Sequence, residues 1–266
     1  MWTKEELDRY ARHIVLPGVG GAGQARLKQS SVLVVGAGGL GSPVLMYLAA
    51  AGVGRIGIVE MDVVDLSNLQ RQVLFDTQTL GQPKADVAKV RLNSLNPHVQ
   101  VETYPLKLDS HNALSVLEPY DLVIDCTDNL PTRYLVNDAC VLLDKPLVYG
   151  AIHQFEGQLS VFHYRGGPCY RCLYPEPPKP GTVPSCAEAG VFGVLPGVIG
   201  SLMAAEALKT LLGQGETLAG LLLIYDGLQA HFRSIRFPRR ADCPVCGDQP
   251  SVTTLQDYEL FCGISV

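Results

Sequence analysis

The sequence predicts an α/β fold: a Rossmann-like doubly wound sheet, mostly parallel, with antiparallel C-terminal strands and a structural zinc site. Three observations carry this reading. First, Val32 to Val35 run straight into Gly36-Ala37-Gly38-Gly39-Leu40-Gly41 and then into the helical stretch Ser42 to Gly52. Glycines placed where a strand becomes a helix N-terminus make an anion cradle, because backbone N–H groups can approach a phosphate and the helix end offers unpaired donors. Second, Asp121 to Cys126 is almost wholly apolar inside, as a parallel strand covered on both faces must be. Third, Cys169-Tyr170-Arg171-Cys172 and Cys243-Pro244-Val245-Cys246 are two Cys-x-x-Cys knuckles. Four thiolates form a closed tetrahedral set, which suits structural Zn²⁺ rather than catalysis.

A chain of 266 residues with 47% hydrophobic content can bury a full α/β core. One domain over 1–266 is expected, with N-terminal helices (1–30), a Rossmann-like half (31–151), an antiparallel and zinc-knuckle half (152–247) and a short tail (248–266). The net charge of −5 and the absence of a basic tract exclude a nucleic-acid binder. The charged N-terminus has no signal-type apolar core, which points to a cytoplasmic protein. The most apolar run, Val191 to Ala205, is broken by Gly193, Pro196, Gly197 and Gly200. It falls short of the roughly 20 residues of a membrane span, so a buried helix and no membrane partner are expected.

Along the chain, Thr3 with Glu6 forms a capping-box pattern that starts a helix from Lys4 to about Ile14, carrying Arg9 and Arg12. A short helix around Gly23 to Gln29 precedes the first strand. Arg55 to Val59 is the second strand, ending at Glu60 and Asp62, where a carboxylate can accept hydrogen bonds from ribose. A polar segment, Asp65 to Gln72, leads to Gly81-Gln82-Pro83-Lys84, which opens a helix with Pro83 near its first position. Arg71 and Lys84 thus flank the ligand-binding edge of the sheet. They are needed there, since a helix terminus contributes only about 0.3 to 1 kcal/mol toward an anion. The strand Asp121 to Cys126 emerges into Thr127-Asp128-Asn129. Asp128 is suited to hold Mg²⁺ beside a polyphosphate, or to cap the helix that begins near Leu130. Pro146 to Ala151 is a further strand. Beyond it, Gln154 to Tyr164 reads as a hairpin around Glu156-Gly157, with later strands at Leu221 to Tyr225 and His231 to Phe237. A proline-rich loop spans Tyr174 to Pro184. Just after it, Cys186 precedes a helix, where its thiolate is favoured, and is a candidate nucleophile or a simple capping residue. Cys126 and Cys140 lie in apolar patterns and read as inert core thiols.

Taken together, GAGGLG, DLSNLQRQ, GQPK, DCTDN, PCYRC, SCAEAGVFGVLPGVIGSL and CPVCG resemble the MoeB/ThiF-type adenylyltransferases, bacterial relatives of ubiquitin-activating enzymes. The resemblance runs from Arg9 to the last knuckle. It implies ATP and Mg²⁺ as cofactors and, as substrate, the C-terminal Gly-Gly carboxylate of a ubiquitin-like sulfur carrier protein, adenylated with release of pyrophosphate. It implies a phosphate loop at Gly36, Gly38, Gly39 and Gly41. Ribose recognition falls to Glu60, where the family more often has Asp and where the longer side chain moves the acceptor oxygens outward. Asp62, Asn68, Arg71 and Lys84 hold the phosphates, with Ser67, Leu69, Gln70 and Asn129 in the same nucleotide-binding set and Asp128 on the magnesium. Arg12 reaches the site of a neighbouring subunit, implying a homodimer. Cys186 matches a crossover-loop cysteine that links covalently to the carrier in some members and is dispensable in others. Only Gly247 to Val266 follow the last knuckle, so a separate persulfide donor is expected to supply the sulfur. Carriers for molybdopterin, thiamine and thiolated tRNA share the same tail, so the resemblance implies a class of carrier and no pathway.

The chemistry agrees with these residue types. The nucleophile is the carrier's own carboxylate, so no general base is required, and His13, His98, His153 and His163 read as structural or exposed. Two other readings compete. An NAD-dependent oxidoreductase accounts for the glycines and Glu60 but leaves Arg71, Lys84, Asp128 and the knuckles without a shared purpose. A non-catalytic ubiquitin-fold-binding scaffold is opposed by the intact charged set.

Overall fold

The computed structural model describes residues 2–177 and 190–258. The chain opens with α1 (Lys4–Arg9), α2 (Ala11–Ile14) and α3 (Gly20–Gln29). The expected capping box is formed: the Thr3 hydroxyl accepts from the Glu6 N–H at 3.1 Å and a Glu6 carboxylate oxygen accepts from the Thr3 N–H at 3.0 Å. The single helix expected over Lys4 to Ile14 is divided at Tyr10, whose backbone (φ −98°, ψ 11°) leaves the helical well. Glu6 is 2% exposed and bonds the Lys28 ammonium. That contact and the Thr3 N–H hold its carboxyl below its ordinary value of 4.5, at about 2. A depressed acid stabilises the fold above the unfolded-state value and loses that contribution as pH falls toward the folded one. Glu6→Gln should therefore lower stability by about 1 to 2 kcal/mol at pH 7. In acid titrations of unfolding, the gap to the parent protein should close between pH 4.5 and about 2.

The sheet is built from β1 (Ser31–Val35), β2 (Arg55–Val59), β3 (Gln100–Tyr104), β4 (Leu122–Asp125), β5 (Leu147–His153), β6 (Glu156–Phe162), β7 (Leu221–Asp226) and β8 (His231–Arg236). Their spatial order is β3-β2-β1-β4-β5-β6-β7-β8. Pairings from β3 across to β5 are parallel, and those from β5 to β8 are antiparallel. The predicted class is thus the observed one. The β5–β6 hairpin turns at Gln154-Phe155, with Gln154 in the left-handed region at φ 51°. Glu156 and Gly157, expected at the turn, instead sit inside β6, paired with His153 and Ile152.

Helices cover both faces, as buried parallel strands require. The two-residue period sends Val32, Val34, Ile56 and Ile58 into one core and Leu33, Val35, Val59 and Val123 into the other. The first core is closed by α4 (Gly41–Ala51), α5 (Lys84–Leu95) and α9 (Leu195–Leu212). The second is closed by α6 (Ala113–Leu117), α7 (Leu130–Leu142) and the short α8 (Tyr170–Leu173), with Tyr134 and Phe162 edge to face against Tyr170 and Tyr149 tilted against it. The apolar helix expected over Val191 to Ala205 starts later and runs further, for 18 residues with mean hydropathy 1.3. Its Ile199 and Met203 are fully buried in the first core, against the sheet.

Candidate active site

Equivalent positions Val35, Val59 and Asp125 end β1, β2 and β4 in register. Connections from β1 and β4 diverge there, which opens a crevice at the carboxyl edge of the sheet. A cavity of about 360 Å³ fills it. Gly36, Gly38 and Gly39 line it from the first turn, Glu60, Asp62, Asn68, Arg71 and Lys84 from the second connection, and Thr127, Asp128, Asn129 and Arg133 from the third.

The glycine turn is sterically demanding. Gly36 lies at φ 93°, and a methyl on Gly41 would stand 2.1 Å from the Gly36 carbonyl oxygen. Gly41 itself is buried and does not line the cavity, so it shapes the cradle rather than touching a ligand. Gly41→Ala should cost about 1 to 3 kcal/mol of stability in denaturant titrations and abolish saturable ATP binding.

Charges converge on the cradle. Lys84 is 3% exposed, and its ammonium donates to the Asp62 carboxylate at 3.2 Å while its N–H donates to the Asp62 carbonyl at 2.9 Å. Arg71 donates to the Ser67 carbonyl at 3.2 Å. Glu60 accepts the Ala37 N–H at 3.0 Å through one oxygen and the Asp62 N–H at 2.9 Å through the other. It therefore ties the glycine turn to the end of β2, and each oxygen keeps a second lone pair for a hydroxyl. The Asn129 side chain accepts the Thr132 N–H at 3.0 Å, so Asn129, not Asp128, caps α7. Asp128 is exposed to the cavity, with no hydrogen bond to the described residues. Beneath it, buried Asp125 accepts from the Thr127 N–H at 2.9 Å and hydroxyl at 2.6 Å, which fixes the turn that presents Asp128. Burial pushes the Asp125 carboxyl above the usual carboxylate range.

Other expected residues lie elsewhere. Ser67, Leu69 and Gln70 flank the cavity without lining it, the Ser67 hydroxyl being held by Asp65. Arg12 is exposed on α2 and does not line the cavity of its own chain. Cys186 lies outside the described residues. Cys126 and Cys140 are buried, and burial raises both thiols above their ordinary value. His13 pairs with Gln24, His98 with Glu5 and His163 with Asp144, and His153 is exposed. Sequence reasoning missed Gln72, Thr127 and Arg133. Arg133 follows the α7 cap by one turn, which places it over the same turn as Asp128, where it donates to the Thr127 carbonyl at 2.9 Å.

The two knuckles meet on the far side of α7. Sγ of Cys169 lies 3.5 Å from that of Cys243, and Sγ of Cys172 lies 3.4 Å from that of Cys246. All four sulfurs are within 4.8 Å of one another. A tetrahedral Zn²⁺ with Zn–S near 2.3 Å needs sulfurs about 3.8 Å apart, so the set fits that ion. Hydrogen bonding from Cys169 brings Cys172 down to about 6 and also lowers Cys243, while contacts with Cys172 and Cys243 push Cys169 up and, against a lowering contact from Cys169, push Cys246 up as well. Only a cation can hold all four as thiolates. Arg171, inside the first knuckle, grips Asp138 of α7 through two bonds of 2.8 and 2.9 Å, and Tyr258 bonds the same carboxylate. The knuckle is thereby coupled to the helix whose N-terminus frames the cavity.

Comparison with known proteins places this geometry among relatives. Residues 10–245 match the model of the ThiF family. Over 268 residues, covering 99% of both chains, the sequence is 66% identical to the sulfur carrier protein adenylyltransferase of Thermus thermophilus. It is 53% identical to adenylyltransferase and sulfurtransferase MOCS3 of Mus musculus, over 99% of this chain and 57% of that protein. The Danio rerio protein of the same name is 54% identical, over 98% of this chain and likewise 57% of its own length. The chain thus spans a little over half of those two relatives. Among solved structures, E. coli MccB superposes with a TM-score of 0.79 at 23% identity, over 91% of this chain and 73% of that one, which shows the shared fold.

Proposed function

The chain belongs to the ThiF family, and from that premise we infer that it is an enzyme that uses ATP to adenylate the C-terminal carboxylate of a ubiquitin-like sulfur carrier protein. The observation that carries this reading is the meeting of a glycine anion cradle with Lys84, Arg71 and Asp128 in one crevice. A carboxylate oxygen of the carrier attacks the α-phosphorus of ATP, the bond from that phosphorus to the β-phosphate bridging oxygen breaks, and pyrophosphate leaves. Charge repulsion between two anions is the obstacle, and Lys84 and Arg71 offset it where negative charge grows. The backbone N–H groups of Gly38 and Gly39 and the N-terminus of α4 hold the phosphates. Glu60 takes the ribose hydroxyls. Asp128, a carboxylate with no protein partner among the described residues, would hold Mg²⁺, which would supply positive charge to offset the negative charge of the phosphates. Zn²⁺ in the cysteine set anchors the knuckles. Neither the nicotinamide reading nor the scaffold reading is favoured by relatives named adenylyltransferases.

Arg12, exposed and outside its own cavity, is assigned to the site of a second copy in a homodimer. Mixing Arg12→Ala chains with Lys84→Ala chains should then recover about a quarter of the parent activity, because one site of each mixed dimer is intact. No recovery would place Arg12 in its own site. The sulfur is assigned to a separate persulfide donor, and the reaction to the cytoplasm. With ATP and a Gly-Gly carrier, mass spectrometry of the products should show the acyl-adenylate, with thiocarboxylate only after a donor is added. Thiocarboxylate without a donor would reject the separate donor. Cys186, outside the described residues, is kept as a candidate attachment point. A Cys186→Ser chain that still supports thiocarboxylate formation would remove it.

A further inference from the structure

Gln72 sits beside Arg71, 5% exposed, and lines the cavity. Its backbone is fully engaged: the N–H donates to the Asn68 carbonyl at 2.9 Å and the carbonyl accepts from the Phe75 N–H at 3.1 Å. The side-chain nitrogen lies against the phosphate cradle, 3.4 Å from where a methyl on Gly38 would stand. Yet the amide makes no hydrogen bond with any described residue, and its oxygen is buried without a partner. A buried primary amide left unpaired is destabilising, so the geometry calls for a partner that arrives with the substrates.

The chemistry of the amide selects that partner. Phosphate and carboxylate oxygens only accept, so they satisfy the amide nitrogen and leave its oxygen unpaired. Lys84 and Arg71 already bond protein groups on their own side of the cavity. The ribose hydroxyls belong to Glu60, at the end of β2. Two incoming groups carry a donor next to an acceptor: the edge of adenine, which extends from the ribose at the Glu60 end, and the last residue of a polypeptide tail, whose N–H and carboxylate lie side by side and which must reach the phosphates, where Gln72 stands against Gly38. Turning the amide over exchanges its two ends, and in either orientation the group offers one donor and one acceptor.

Resting on the adenylation reading, we propose that Gln72 reads the carrier's last residue: its oxygen accepts the terminal glycine N–H and its nitrogen donates to the glycine carboxylate. This aims the nucleophile at the α-phosphorus beside Arg71. It also makes an N–H on the last residue a requirement for a good substrate, so a tail ending in proline or N-methylglycine is rejected.

The test is a double-substitution cycle read by pyrophosphate exchange. Gln72→Met should raise the KM for the carrier about 10- to 100-fold while the Kd for ATP, measured without carrier, stays within about twofold, which also shows that the variant is folded. Gln72→Glu should lose at least as much, since its charge repels the attacking carboxylate. A carrier ending in N-methylglycine should suffer a similar loss with the parent enzyme and almost no further loss with Gln72→Met. Weakened ATP binding in Gln72→Met, an unchanged KM, or an N-methyl penalty equally large in both enzymes would overturn the proposal. A parent enzyme inert with every carrier would instead overturn the adenylation reading beneath it.

Discussion

Replacing Lys84 by alanine should reduce carrier-dependent ATP–pyrophosphate exchange by about 10²- to 10³-fold, with thermal unfolding changed far less. Lys84 is a buried cation, 3% exposed, held at the first turn of α5 by the Asp62 carboxylate and carbonyl. A cation positioned in advance by Asp62 can stabilise charge growing on a transferring phosphate with little cost of reorganisation as the reaction proceeds. Arginine should not rescue it, because the planar fork is larger than the space an ammonium fills and directs its donors differently. Asp128→Asn should give a comparable loss with a distinct signature: partial recovery at high Mg²⁺, since the neutral amide weakens the ion's attachment without removing the cations that bind phosphate. Equal exchange rates in the parent protein and Lys84→Ala would remove the assignment of this lysine.

The second large effect concerns the cysteine set. Cys243→Ser, or prolonged chelation, should release one Zn²⁺ per chain and destabilise the protein by about 5 kcal/mol or more, a fall in apparent Tm of about 10 to 20 °C. The full apparent binding energy of such sites, about 10 to 16 kcal/mol in small zinc-finger peptides, should not appear here, because the two sheet-face cores bury their own apolar side chains away from the cysteine set. The loss should be local first. Arg171 and Tyr258 both hold Asp138, so releasing the knuckle frees the 239–258 segment, and limited proteolysis should cut there before the sheet opens. Metal analysis finding no Zn²⁺ in a protein of undiminished stability would contradict the assignment.

Much of this architecture is legible in the chain because the responsible forces are local. A strand running into glycines and then a helix has one compact solution, and Gly36 at φ 93° occupies the backbone region that glycine tolerates best. The knuckles are legible because two thiolate pairs at that spacing make a closed four-sulfur set suited to a structural metal ion. Three features were hidden for definite reasons. β3 reads Gln-Val-Glu-Thr-Tyr, and as the outermost strand of the parallel half it needs little apolar surface, so it carries almost no hydrophobic pattern. The break at Tyr10 is set by tertiary contacts: its hydroxyl accepts from Asn96, far along the chain, at 2.8 Å. Gln72 and Arg133 look like ordinary polar residues in sequence, and only the meeting of two distant connections turns both toward one cavity. Burial is what distinguishes Gln72 from Gln70, two residues away, and burial is a property of the folded chain.

The most direct test of the central claim is isotope exchange between pyrophosphate and ATP, measured with a ubiquitin-fold carrier whose C-terminal glycine bears either a free carboxylate or a carboxamide. Rapid exchange with the free acid, and none with the amide or without carrier, is the predicted result. Exchange that ignores the state of that terminus, or none with any Gly-Gly carrier, would contradict it.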